Sequence, residues 1–123
     1  MAKLIHFPTF KDERGILTVM DRELPFQPKR CFTIYGMNQA RGGHGHQVSK
    51  TILLALCGKV TVEVRTKDSR KIESEFYVLE QPDVGLYLDP EDWHAFEADS
   101  NQAVLLCIAS ENYSKDDYFY ERP

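Results

Sequence analysis

Val60, Val62 and Val64 alternate with Thr61, Glu63 and Arg65, the period of two that gives a strand one buried and one solvated face. Ile72, Ser74, Phe76 and Val78 repeat that pattern against Glu73, Glu75 and Tyr77, and the polar stretch Thr66-Lys67-Asp68-Ser69 between the two runs predicts a hairpin turn. Gly58-Lys59 marks a sharp turn after the apolar run Ile52 to Cys57. Further on, Gly85 to Leu88, the turn Asp89-Pro90-Glu91-Asp92, Trp93 to Ala98, the turn Asp99-Ser100-Asn101 and Ala103 to Ala109 read as strand, turn, strand, turn, strand. The unbroken run AVLLCIA fits a strand covered on both faces. No run carries a secure helical period, so the expected class is all-β, a sandwich or barrel.

The chain has 123 residues, the size of a single domain over 1–123, with 42% hydrophobic and 28% charged positions, an ordinary globular composition. Its formal charge of -4 gives no net attraction to nucleic acid or an anionic membrane, so an anionic ligand needs a local basic cluster. No stretch reaches transmembrane length, and His6, Pro8 and Lys11 interrupt the only apolar stretch near residue 1. Cys31, Cys57 and Cys107 are odd in number and far apart, which disfavours a disulfide framework and points to the cytoplasm. All three lie in apolar runs and read as small buried hydrophobes.

Chemistry concentrates in Arg41-Gly42-Gly43-His44-Gly45-His46. Two histidines two apart on an extended backbone point to the same side, where they suit either metal ligation or acid–base work near neutral pH. The surrounding glycines would be costly in a plain strand and suggest a shaped site. Trp93-His94, just after the Pro90 turn, adds a third imidazole at the start of another strand. The aromatic and acidic segment ENYSKDDYFYERP fits packing over the barrel mouth or over a partner subunit.

The stretch HGHQVSKTILLALCG resembles the first cupin motif and GLYLDPEDWH a shortened second one, which implies a cupin-type jelly-roll barrel, or double-stranded β-helix. Thr51 stands where metal-binding cupins carry a glutamate, so a divalent metal would find three imidazoles at most. Over nearly its whole length the chain is similar to the sugar-nucleotide 3,4-ketoisomerases, cupins that act on TDP-4-keto-6-deoxyglucose. The matching features are Asp12-Glu13-Arg14-Gly15 with Leu17, Leu24-Pro25-Phe26, Lys29-Arg30, Tyr35-Gly36, Arg41-Gly42, Gly85-Leu86-Tyr87, Trp93-His94, Ala109-Ser110, Tyr113 and Asp117-Tyr118. Where that family usually reads HAHK, this chain reads HGHQ.

The resemblance implies a cofactor-free and metal-free isomerase that moves a carbonyl from C4 to C3 of a TDP-linked keto-deoxysugar through an enediol. Such chemistry needs a base at C3, an acid for C4 and fixed donors for the enolate oxygen. On this reading His46 is the base, His44 bonds the sugar oxygens, and Tyr35 is a further phenolic donor or acid. Arg14, Arg30 and Arg41 would meet the diphosphate, since guanidinium forks suit phosphate oxygens. Trp93 and His94 line the substrate site, with Tyr87 and the later tyrosines as further platforms for the base. The family also implies a homodimer with exchanged N-terminal strands, and Lys3 to Phe10 is compatible with such an edge strand. The alternatives are a non-catalytic nucleotide-sugar-binding cupin and a metal-dependent cupin enzyme built on His44, His46 and His94.

Overall fold

The computed structural model describes residues 2–66 and 73–123. Two five-stranded antiparallel sheets lie face to face. The first runs β1 (Lys3–His6), β9 (Val84–Leu88), β6 (Thr51–Cys57), β11 (Val104–Ala109) and β4 (Arg30–Tyr35). The second runs β12 (Tyr118–Phe119), β5 (Arg41–His46), β10 (Asp92–Ala98), β7 (Val60–Thr66) and β8 (Glu75–Leu79). A separate hairpin joins β2 (Thr9–Asp12) to β3 (Gly15–Thr18). The helical content of the described residues is one 3-10 turn, Lys115–Asp117. This is the all-β cupin architecture that the strand pattern and the motifs predict.

Leu53, Ala55, Leu86, Leu88, Leu105 and Cys107 meet Val60, Val62, Val64, Leu79 and Phe96 between the sheets. Each such leucine or valine withdrawn from water contributes roughly 1.5–3 kcal/mol. The run AVLLCIA is indeed covered on both sides: Leu105 and Cys107 point inward, while Ile108 joins Ile52, Leu54, Tyr87 and Phe7 on the outer face. Met20, Leu24 and Phe26 pack over that outer layer. Among the described residues, no helix is long and apolar enough to cross a membrane.

Two expectations need correction. In β8 the period of two is right but the phase is reversed: Tyr77 and Leu79 turn inward opposite Val62 and Val60, leaving Phe76 and Val78 exposed. A strand's phase is set by which neighbour it pairs with, and a shift of one exchanges its faces. Ile72 and the turn residues Lys67, Asp68 and Ser69 lie outside the described residues. Of the cysteines only Cys107 is buried; Cys31 and Cys57 are exposed, and all three thiols are free. Cys31 sits on the edge strand β4, whose outward residues Cys31, Thr33 and Tyr35 are exposed.

Candidate active site

The cavity between the sheets, about 190 Å³ in volume, is walled by Phe32 and Ile34 of β4, Arg41, Gly42, His44 and His46 of β5, His94 and Phe96 of β10, and Tyr118 of β12, with Thr51, Leu53 and Cys107 from the first sheet. β5 opposes His44 to His94 and then Gly42 to Ala95, so Gly43 is an extra, bulged residue. The bulge needs positive φ at Gly42 (83°) and Gly43 (72°), a region that only glycine enters freely. Beyond it the strand is regular, and His44 and His46 share the cavity face as their spacing predicts.

The imidazoles form one cluster, with ring centroids 5.3 Å apart for His44–His46, 4.9 Å for His44–His94 and 6.2 Å for His46–His94. His46 Nδ1 lies 3.0 Å from Asp117 Oδ2 in a buried pair. Asp117 also accepts the Ser49 hydroxyl on Oδ2, the Val48 amide at 2.7 Å and the Ser49 amide at 3.3 Å. Burial opposes the Asp117 charge, but these donors together with His46 outweigh it and hold the carboxyl below its ordinary range. An ionised carboxylate only accepts, so Nδ1 of His46 carries its proton toward Asp117 and Nε2 is left with a free lone pair.

Burial pushes all three histidines below the ordinary imidazole value, His94 to about 3. For His46, Asp117 partly offsets that depression; for His44, the neighbouring His46 adds to it. The cluster is therefore a set of neutral imidazoles near pH 7, the state a general base requires. Among the described residues, no group of three or more His, Cys, Asp or Glu side chains has the arrangement of a metal site.

The arginines divide. Arg30 stacks over Phe32 and Tyr113, its guanidinium carbon 5.2 Å and 5.8 Å from the ring centroids, and its buried Nε has no hydrogen-bond partner among the described residues. A buried guanidinium N–H without an acceptor is a standing donor for an anionic group. Arg41 lines the cavity mouth. Arg14 lies far out on the β2–β3 hairpin, its side chain 86% exposed and forked onto Asp12.

Two predicted site residues stand elsewhere. On β4 the cavity side belongs to Phe32 and Ile34, so Tyr35 points the other way and is 73% exposed. Trp93 is buried as a core aromatic would be, but on the face of β10 opposite His94, beneath the Arg122 guanidinium at 5.5 Å. Conversely, the sequence reading gave no role to Asp117, Ser49 or Phe32 and left the placement of Tyr118 open. The signal available for the first was the Asp117-Tyr118 pair within the family match; nothing in the spacing ties residue 117 to residue 46.

A family model described as "FdtA: WxcM-like, C-terminal" matches residues 1–123. The chain belongs to that family. A curated relative from Aneurinibacillus thermoaerophilus, TDP-4-oxo-6-deoxy-alpha-D-glucose-3,4-oxoisomerase, is 32% identical over 120 residues, covering 94% of this chain and 84% of the relative. The 3,4-ketoisomerase QdtA of Thermoanaerobacterium thermosaccharolyticum, solved as a histidine-to-asparagine variant with TDP-4-keto-6-deoxyglucose, superposes with a TM-score of 0.90 at 31% identity, covering 98% of this chain and 87% of that one. A 3,4-ketoisomerase from Helicobacter canadensis gives a TM-score of 0.89 at 26% identity, over 98% and 90% of the two chains. The resemblance carried by the sequence motifs is thus the family to which this FdtA-like chain belongs.

Proposed function

We propose that this protein is a sugar-nucleotide 3,4-ketoisomerase that converts TDP-4-keto-6-deoxyglucose to the 3-keto-6-deoxyhexose in deoxysugar biosynthesis. The observation that carries the reading is the buried His46–Asp117 pair beside His44, facing a cavity of sugar dimensions. His46 removes the C3 proton through Nε2 while Asp117 fixes its tautomer and supports the imidazolium. His44 carries the hydroxyl proton between O3 and O4, and His94, neutral and buried, bounds the sugar. Arg30 and Arg41 receive the diphosphate, for which the unpartnered Arg30 Nε is a preformed donor. Cytoplasmic action, in keeping with three free thiols, is part of the same proposal.

A second reading exchanges the two histidines. His44 is less buried than His46 and lies nearer to both His46 and His94 than they lie to each other, a position from which it would meet C3 first. Variants at both positions decide this, as set out in the Discussion.

The direct test incubates metal-stripped protein with TDP-4-keto-6-deoxyglucose in deuterated buffer and follows the sugar by proton NMR. Loss of the C3 signal with growth of a 3-keto product is the expected result. Activity that returns only with an added divalent metal would favour the metal-dependent cupin. TDP binding with no exchange at all would favour the non-catalytic binding module.

Dimerisation belongs to the same proposal. β1 pairs with β9 of its own chain, so the element free to cross to a partner is the β2–β3 hairpin, with Phe10, Ile16 and Leu17 all more than 60% exposed. Crossing would bring Arg14 to the partner's cavity mouth, where its charge suits the diphosphate. Sedimentation should show a dimer, and mixing Arg14→Ala with His46→Asn protein should restore activity that neither has alone. A monomer at micromolar concentration, or a mixture no better than its parts, would refute the exchange.

A further inference from the structure

Isomerisation ends with a proton delivered to C4, and the strand expected to supply a phenol for that step does not do so. β4 presents Phe32 to the cavity and turns Tyr35 away. The phenol that lines the cavity is Tyr118, its ring centroid 4.6 Å from His46 and 4.9 Å from His44. The placement is built into the backbone: β12 pairs with β5 so that Tyr118 faces His46 and Phe119 faces Gly45. Directly opposed residues of an antiparallel pair point to the same side, which aims Tyr118 into the cavity and Phe119 away from it.

We propose that Tyr118 is the catalytic acid that protonates C4, an assignment that rests on the ketoisomerase reading above. The C3–H bond breaks, its proton goes to the histidine base, and its electron pair forms the C3–C4 double bond of the enediolate. The O3 proton passes to O4. The Tyr118 O–H bond then breaks as the C4–H bond forms, and the C3 oxygen becomes the carbonyl. The tyrosinate left behind recovers a proton from the histidinium beside it, so the cycle closes with no net gain or loss. A phenol serves here because it donates in one half of the cycle and accepts in the other.

The test compares wild type, Tyr118→Phe and Tyr35→Phe in deuterated buffer. Tyr118→Phe is expected to deuterate the substrate at C3 at a rate near wild type while forming product at least about tenfold more slowly relative to that exchange. Full product formation by Tyr118→Phe, or the same uncoupling in Tyr35→Phe instead, overturns the assignment. Wild-type protein that shows neither exchange nor product overturns the ketoisomerase reading itself. As a second measurement that leaves the packing nearly intact, 3,5-difluorotyrosine placed at 118 should change the ratio of product formation to C3 exchange, because the acid that protonates C4 has been altered while the base has not. An unchanged ratio counts against Tyr118.

Discussion

His46→Asn is expected to abolish deuterium exchange at C3 and to lower turnover by about 10²–10⁴-fold, the range that a positioned base contributes, with TDP binding nearly unchanged. Asp117→Asn should reproduce much of that loss without touching the imidazole. The Val48 and Ser49 amides would hold the asparagine carbonyl where Asp117 Oδ1 now sits, which turns the NH₂ group toward His46 Nδ1. Nδ1 must then accept, the ring proton moves to Nε2, and the nitrogen facing the substrate can no longer take a proton.

The pH dependence of Asp117→Asn separates this account from simple loss of structure. Burial already depresses His46, so the acid limb of kcat/KM should lie below the ordinary histidine value of 6.5, with activity lost as pH falls through the folded-state value. Asp117 raises His46 through both its charge and its hydrogen bond; without it the limb should move lower still while turnover on the plateau falls. Turnover within twofold of wild type for His46→Asn would remove His46 from the mechanism. Loss of exchange in His44→Asn alone would assign the base to His44.

Gly45→Ala should lower turnover by about 10²-fold, the scale that a displacement of about 1 Å carries at a reacting centre. A Cβ at Gly45 would run into Phe119 Cζ and lie 2.5 Å from Cε1 and 3.0 Å from the Asp92 carbonyl. The backbone oxygen cannot yield, so the ring must leave, and with it goes the seat of β12. Asp117 and Tyr118 are the two residues before it in the chain, so the loss reaches His46 through both. Overpacking of this kind costs about 1–3 kcal/mol. The double variant Gly45→Ala with Phe119→Ile should recover most of the activity, because isoleucine lacks the far end of the ring and suits a strand. Wild-type turnover in Gly45→Ala, or no recovery in the double variant, would show that Phe119 does not hold the strand in place.

The seating of β12 also shows where the sequence stops being readable. HxH spacing on an extended backbone is a local property, and it put His44 and His46 on one face before any fold was known. The glycines around them marked a shaped site, but that the shape is a bulge at Gly43 came from the pairing of β5 with β10. By contrast, the His46–Asp117 bond joins residues 71 apart, and Asp117 stands in an acidic stretch where no local rule marks one carboxylate over its neighbours. Tyr35 and Phe32 were separable only by phase. Both are aromatic residues on one strand, and the pairing of β4 with β11 decides which faces the cavity. Trp93 and His94 must lie on opposite faces as neighbours on one strand, but which of them meets the cavity is again set by the pairing of β10 with β5 and β7.

By itself the sequence determined the all-β class, the succession of strands along the chain from β6 to β11, the convergence of His44 and His46, and, through its motifs, the family. Those are properties of period, spacing and turn chemistry, set by the geometry of an extended chain. Only the tertiary structure decided which carboxylate supports His46, which phenol enters the cavity and which arginine has a buried N–H without an acceptor. These depend on pairing register and on contacts between segments far apart in the chain, and neither is encoded in any window short enough to read.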